Sequence, residues 1–259
     1  MAPGRLITLT TDFGPSSCFV GIMKGVISSI APGVQVVDLT HAITPGSIRE
    51  AAFILSKSYA FFPENSVHVV VVDPGVGTKR RILCLVKGKT LFLAPDNGVL
   101  SFVMGKGDRL YRVSEDAFFL KPVSRTFHGR DVFAPVAAFL SRGLSPISLG
   151  PKVSDPVKIA PSKVKVEGGR VVGELLFPDT FGNLITSIEE GHLEGKRVRK
   201  ITVGGRKVEG PLESFEEGRG KGLCAIFDSF GHLEIFCYLE SAKELIGNWR
   251  ELEVEVLLE

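Results

Sequence analysis

The sequence predicts an α/β N-terminal domain with a largely parallel sheet flanked by helices, over residues 1–152, and a small all-β C-terminal domain, an antiparallel sandwich or barrel, over residues 163–259. Three observations carry that prediction. Short apolar runs alternate with helical periodicity in the first half, as in successive βα units. Period-two strands split by glycine turns fill the second half. Between them, prolines at 151, 156 and 161 interrupt any regular element, which marks residues 153–162 as a linker.

Each element follows from its local pattern. Leu6-Ile-Thr-Leu-Thr-Thr11 reads as a strand, and the apolar positions Phe19, Ile22, Met23, Val26, Ile27 and Ile30 fall at helical spacing behind it. Ala31-Pro-Gly33 ends that helix, and Val34 to Leu39 forms the second strand. The next helix begins at Ser47, with Glu50 three residues on to complete a capping box. Val67 to Val72 is apolar without alternation apart from His68, which predicts a central strand covered on both faces. Ile82 to Val86 and Thr90 to Ala94 read as a hairpin around Lys87-Gly-Lys89, and Asp131 to Leu140 reads as a helix. In the second half, Arg170 to Phe177, Arg199 to Val203 and Glu251 to Leu257 alternate as strands, with a short helix over Ser241 to Ile246.

Composition narrows the function. The chain has 259 residues, 44% of them hydrophobic, which suffices for one sizeable core or two modest ones. Thirty-one Lys and Arg stand against 29 Asp and Glu, so there is no basic field to draw nucleic acid. The first eight residues lack the charged head and apolar run of a secretory leader, and no apolar run reaches the roughly 18 residues of a membrane span, so a cytoplasmic location without membrane contact is expected. Cys18, Cys84, Cys224 and Cys237 are scattered and form no Cys-x-x-Cys pair, which argues against disulfides and a thiolate zinc site.

Several polar residues stand where chemistry is expected. Asp12, Asp38 and Asp73 each fall at the carboxyl end of one of the first three strands, where open α/β sheets place ligands. Asp38 reads as a turn or capping residue. Asp12 in Thr11-Asp-Phe-Gly14 and Asp73 in Asp73-Pro-Gly-Val-Gly77 are better placed, because flanking glycine lets backbone approach a ligand. The glycine-rich turn after Asp73 can fold back and pair its carboxylate with Arg80, although a solvated charge run is the alternative. His128, in Thr126-Phe-His-Gly-Arg-Asp131, precedes a helix. In the second domain Asn183 is a candidate for a base edge and Phe181 for stacking on it, and a β-turn accounts for the same residues equally well. Asp228-Ser-Phe-Gly-His-Leu-Glu-Ile235 is first of all a hairpin turn.

Together these segments resemble the S-adenosyl-L-methionine hydroxide adenosyltransferase family, relatives of the fluorinating and chlorinating enzymes that use the same substrate. Six segments carry the resemblance in order: Thr11-Asp-Phe-Gly14, Asp38-Leu-Thr-His-Ala-Ile-Thr-Pro45, Asp73-Pro-Gly-Val-Gly77 with Arg80, Phe127-His-Gly-Arg-Asp131, Asp179-Thr-Phe-Gly-Asn183 and Ser229-Phe-Gly-His-Leu-Glu-Ile235. The resemblance implies hydrolysis of S-adenosyl-L-methionine to adenosine and L-methionine, with no cofactor and no metal. It implies a water-activating triad of Asp73, Arg80 and His128, ribose binding by Asp12, a lining of Phe127 and Phe181, adenine contact by Asn183, and methionine contacts from Asp179 and Ser229. It also implies a homotrimer in which each site joins the N-terminal domain of one subunit to the C-terminal domain of its neighbour.

The chain departs from the family where Ser17 replaces an acidic residue and Gly46 an aromatic one. In the halogenating relatives the positions of Asp73, Arg80 and His128 carry tyrosine, threonine and tyrosine, and a serine replaces Gly129, which argues against halogenation. Two other readings fit some of the residues. One is a metal-dependent nucleotide phosphohydrolase using Asp12, Asp38, His41 and Asp73 as ligands; the other is a sensor that binds adenosine or S-adenosyl-L-methionine without turnover.

Overall fold

The computed structural model describes residues 5–259, so the leader reading falls partly on residues 1–4, outside the described residues. The chain divides into two compact units, Met1–Ala160 and Pro161–Glu259. No helix among the described residues is long and apolar enough to cross a membrane.

In chain order the first unit contains β1 (Ile7–Thr11), α1 (Cys18–Ile30), β2 (Val36–Thr40), α2 (Ile48–Ser58), β3 (Val67–Val71), β4 (Ile82–Lys87), β5 (Thr90–Pro95), β6 (Arg109–Arg112) and α3 (Ala134–Ser141). Its sheet runs β2-β1-β3-β5-β4-β6. The pairings β1–β2, β1–β3 and β3–β5 are parallel, whereas β4 lies antiparallel to both β5 and β6. The sheet is therefore mixed rather than largely parallel. The physical reason is the hairpin: Lys87 faces Thr90 across Gly88 and Lys89, too short a connection for the crossover a parallel pair needs.

Alternation along the central strands supplies both faces of this sheet. Val67, Val69 and Val71 of β3 and Leu91 and Leu93 of β5 pack with Met23 and Ile27 of α1 and Val136, Ala137 and Leu140 of α3. The intervening Val70, Val72, Phe92 and Ala94 pack instead with Ala51, Ala52 and Leu55 of α2. A strand covered on both sides needs no polar face, which explains a run that is apolar apart from His68.

Two local expectations change. Ser47 precedes α2 but its side chain makes no capping bond. Both carboxylate oxygens of the buried Glu50 instead accept from the Thr44 N–H, at 3.3 and 3.2 Å, so this acid ties the preceding loop. The helix expected over Asp131 to Leu140 opens as a π turn, Gly129–Phe133, before α3. Pro135 has no N–H to give to a regular first turn, and the wider turn absorbs that loss.

Residues 153–160, within the segment the sequence marks as a linker, run along the first unit. Val153 N donates to Leu110 O at 2.9 Å, Val157 N to Asp96 Oδ1 at 2.8 Å, and Ile159 N to Ser101 Oγ at 2.9 Å. Arg81 joins the same strap, reaching Asp96 at 2.6 Å and Asp155 at 2.8 Å.

The second unit contains β7 (Lys165–Glu167), β8 (Arg170–Pro178), β9 (Leu184–Glu189), β10 (Val198–Val203), β11 (Arg206–Leu212), β12 (Leu223–Phe227), β13 (His232–Cys237), α4 (Ala242–Ile246) and β14 (Glu253–Leu258). The order is β14-β10-β11-β12-β13-β9-β8-β7, and β14 also pairs with β8. That extra pairing closes a seven-stranded barrel, with β7 riding on β8. Closure removes the exposed edges that a sandwich would have to protect. Every pairing is antiparallel except β11–β12. Val171, Leu184, Ile188, Ile201, Leu233, Ile235 and Val254 fill the interior, with Trp249 against them.

His68 is fully buried on β3. Its Nδ1 lies 2.8 Å from Thr8 Oγ1, its Nε2 has no hydrogen-bond partner among the described residues, and the rings of Tyr59, Phe62 and Phe92 surround it. Burial lowers its pKa from 6.5 to about 4. Between those values the unfolded chain binds a proton that the folded chain excludes, so stability is full above the unfolded value and is lost as pH falls toward 4. Urea unfolding should therefore show a declining midpoint from pH 6.5 to 4. In His68→Leu that decline should be shallower; an unchanged slope would remove His68 as its source.

Candidate active site

Asp73 lies two residues past β3, in a loop whose return brings Arg80 against it. Arg80 Nε stands 2.9 and 2.8 Å from the two carboxylate oxygens, and Nη2 bonds Oδ2 as well. The Asp73 side chain is only 4% exposed and that of Arg80 11%, so the charges neutralise each other away from bulk water. Arg80 Nη2 then reaches His128 Nδ1 at 2.8 Å. A guanidinium only donates, so Nδ1 accepts and the hydrogen of the neutral imidazole sits on Nε2. The order is Asp73–Arg80–His128, and the arginine stands between the carboxylate and the imidazole rather than beside a directly paired couple. Burial, followed by the positive charge of Arg80, holds the His128 pKa below its ordinary value against the opposing pull of Asp73 and Asp131.

Glycine makes this convergence possible. A Cβ on Gly77 would stand 2.2 Å from the carbonyl oxygen of Arg125, and Gly77 has φ +77°, so only glycine lets the Asp73 loop pass against the segment leading to His128. That segment is held from the other side by Asp131. Its buried carboxylate takes the Ser124 N–H at 2.7 Å and the Arg130 guanidinium at 2.6 Å. Burial pushes the Asp131 carboxyl up, but these bonds outweigh it and leave the pKa lowered. Arg80 and His128 line a cavity of about 320 Å³ with Thr78, Arg112 and Val132.

Phe127, one residue before His128, packs at 4.7 Å between ring centres against Phe19 and at 6.2 Å against Phe13. Phe19, read from the sequence only as a helix core position, is 46% exposed, and Phe13 joins it from the Asp12 turn. These two rings are functional candidates that periodicity does not reveal. Asp12 follows β1 directly, and its Oδ2 accepts from Gly46 N at 2.8 Å. Ser17, the residue that departs from the family pattern, caps α1 by accepting from Phe19 N at 3.2 Å. Asp38 does not end its strand: it lies inside the edge strand β2, where it meets Lys24 at 2.5 Å and His41 at 3.1 Å. Asp12 and Asp73 thus have other partners than Asp38 and His41. Among the described residues no group of three or more His, Cys, Asp or Glu is arranged to hold a metal ion.

In the second unit Asp179 ties the β8–β9 turn. Its Oδ1 accepts from Phe181 N at 2.9 Å and Asn183 N at 2.8 Å, and its Oδ2 accepts from Asn183 Nδ2 at 3.0 Å. The turn reading holds here: Phe181 is left 80% exposed, while Asn183 is buried with its amide oriented by the turn. Asp179, Phe181 and Asn183 line a cavity of about 620 Å³ with Phe215, Tyr238 and Leu239. The last three carried no recognisable signal in the sequence, since aromatic residues near a barrel rim look like any strand residues.

Glu234 lines the same cavity and is 5% exposed. Burial and then the charge of Asp179 raise its pKa to about 7, against a hydrogen bond from Asn183. A glutamate inside the apolar run of β13 was the signal that could have found it. The Asp228 turn repeats the Asp179 geometry, with Oδ1 accepting from Phe230 N and His232 N, each at 2.8 Å. It lies at the other end of β13: His232 pairs with Glu189, whereas Ile235 pairs with Leu184 beside Asn183. Ser229 is exposed on that turn, apart from the residues lining the cavity.

Both units match known proteins. Residues 7–150 match the model of the SAM hydroxide adenosyltransferase N-terminal domain, and residues 173–255 that of the C-terminal domain. The chain is 35% identical over 268 residues to an (R)-S-adenosyl-L-methionine hydrolase of Thermus thermophilus, covering 98% of this chain and 100% of the relative. It is 29% identical to a fluorinase of Actinoplanes sp., over 73% of each chain. A crystal structure of a conserved Thermotoga maritima protein superposes with a TM-score of 0.88 at 34% identity, covering 97% of this chain and 100% of that one. Matched along both of its units by these two domain models, the chain belongs to the SAM hydroxide adenosyltransferase family.

Proposed function

We propose that the chain hydrolyses S-adenosyl-L-methionine to adenosine and L-methionine: water gives its proton to solvent, the resulting hydroxide attacks the ribose C5′ carbon, and the C5′–S bond breaks with its electron pair leaving on the neutral methionine thioether. The observation that carries this reading is the continuous Asp73–Arg80–His128 row. Water has a pKa of about 15.7, so a hydroxide nucleophile needs positive charge and donors beside it. Arg80 supplies the charge. Asp73 fixes the guanidinium plane, and His128, neutral with its hydrogen on Nε2, adds a second donor directed by the bond at Nδ1. No step requires a cofactor.

An anion meeting a sulfonium cancels charge as the transition state forms, so the reaction gains from an apolar and water-poor setting. Phe127, with Phe13 and Phe19, offers that wall in the first unit. Asp12 takes the ribose hydroxyls. In the second unit Phe181 stacks on adenine, and Asn183, its Nδ2 committed to Asp179, presents its carbonyl oxygen to the adenine amino group. Asp179 and Ser229 serve the methionine end. We assign the working form to a homotrimer in the cytoplasm, each site drawing on the N-terminal domain of one subunit and the C-terminal domain of its neighbour; the support is family resemblance. Light scattering should give a mass three times that of the 259-residue chain.

The decisive experiment is chromatography of products after incubation with S-adenosyl-L-methionine, with and without chelator. Adenosine and methionine should appear together in equal amounts in both. Intact substrate would sink the reading, and loss of turnover with chelator would transfer it to metal chemistry. Asp73→Ala, Arg80→Ala and His128→Ala should each lower kcat by about a hundredfold or more while leaving the dissociation constant of substrate within a few fold. Equal losses of binding and rate would remove these three from catalysis. Because the His128 pKa is lowered, the imidazole stays neutral through the ordinary histidine range, and kcat should hold as pH falls through 6.5, declining only below it. A kcat that halves near 6.5 or above would contradict the neutral imidazole.

A further inference from the structure

The segment that leaves β2 grips the turn presenting Asp12. Gly14 N donates to the carbonyl of His41 at 2.8 Å, and Gly46 N donates to Asp12 Oδ2 at 2.8 Å. Between these, Thr11 Oγ1 lies 2.9 Å from His41 Nδ1 and accepts from Phe13 N at 3.3 Å. The threonine oxygen takes the Phe13 hydrogen and shares one further hydrogen with Nδ1, which leaves Nε2 as the outer ring nitrogen. That nitrogen stands 3.1 Å from Asp38 Oδ1, and Asp38 Oδ2 meets Lys24 Nζ at 2.5 Å. A polar row thus runs inward from Lys24 through Asp38 and His41 to the buried Thr11 hydroxyl and the backbone of the Asp12 turn. Exposure falls along it, from 38% at Lys24 and Asp38 to 10% at His41.

We propose that His41 is a positioning residue for Asp12: it clamps the turn 11–14 from Thr11 Oγ1 on one side and Gly14 N on the other, with the Asp38 carboxylate and Lys24 close behind the imidazole. The inference rests on the reading of Asp12 as the ribose carboxylate. Its physical basis is that Asp12 stands one residue beyond β1 and two before Gly14, whose φ of +83° belongs to a turn with no regular structure of its own. A carboxylate on such a turn presents both oxygens to a diol only if the backbone is fixed from outside, because positional scatter of a fraction of an ångström already weakens a paired hydrogen bond. An exposed Lys–Asp pair on an edge strand adds little stability by itself. Here it continues directly into the residue that holds the turn. Burial tends to raise the Asp38 carboxyl, but hydrogen bonds from Lys24 and His41 outweigh it, so the group remains an anion for the imidazole to meet.

The test compares adenosine with 2′-deoxyadenosine, measured by calorimetry on the full chain and on Asp12→Ala, His41→Ala, His41→Asn and Thr11→Val. The unaltered chain should prefer adenosine, and Asp12→Ala should abolish that preference. His41→Ala should weaken adenosine about tenfold, the effect of losing one well-placed hydrogen bond, while changing 2′-deoxyadenosine less than about twofold. Thr11→Val removes the same bond from its other end and should reproduce the loss; His41→Asn keeps a side-chain partner for Thr11 and should recover most of it. A residue that merely stabilised the fold would weaken both nucleosides alike. Should His41→Ala fail to fold, Thr11→Val and His41→Asn carry the comparison. If Asp12→Ala abolishes the preference while His41→Ala and Thr11→Val keep it, the positioning role is overturned and the ribose site stands. A preference that survives Asp12→Ala removes the ribose reading, and the inference with it.

Discussion

A guanidinium laid against both oxygens of a nearly buried carboxylate is the contact around which the first unit's site is arranged. Removing two charges from water is costly unless they meet in good geometry, and the Arg80–Asp73 pair meets twice. Once it is formed, the free edge of Arg80 has one direction left, and His128 occupies it. The imidazole consequently carries its hydrogen on the far nitrogen and resists protonation beside a permanent cation. The surrounding loops serve that arrangement. Gly77 permits the close passage, and Asp131 ties down the histidine segment through Ser124 and Arg130.

The second unit solves a different problem. A closed barrel has no free edge, and the candidate residues Asp179, Phe181 and Asn183 sit on one of its turns. Asp179 and Asp228 each fold a five-residue turn by accepting two backbone N–H groups, and in the first of these Asn183 is drawn inward while Phe181 is pushed out. The same carboxylate thereby shapes the turn and orients an amide over an apolar cavity. Glu234 beneath them, pushed up to about 7, shows how far that cavity is desolvated, since a carboxyl in water would ionise well below neutrality.

Much of this was legible in the residue order. Alternation and apolar runs located both α/β and β regions, because burial on one or two faces of a strand leaves its period in the sequence. The pairing of Asp73 with Arg80 was legible as a possibility, since a glycine-rich turn of seven residues can reverse. Sheet direction was less so: a hairpin was readable at Gly88, yet a single reversed strand makes the whole sheet mixed. The capping box at Ser47 failed because the buried carboxylate of Glu50 found another partner, the N–H of Thr44. Asp38, read as a strand-end turn residue, lies inside an edge strand where Lys24 and His41 can reach it.

By itself the sequence determined the kinds of element, the composition of the two cores, and six short segments in an order that marks the family. Those depend on neighbours along the chain, and periodicity records them. Tertiary structure alone decided that Arg80 stands between Asp73 and His128, that Phe13 and Phe19 join Phe127, and that His41 faces Thr11. These contacts join residues 30 positions apart at Thr11 and His41, 48 at Arg80 and His128, and more than twice that at Phe13 and Phe127, where direction and distance are set by packing of whole strands and helices. No local preference encodes which nitrogen of a histidine meets a neighbour; that follows from which donors the fold brings to it.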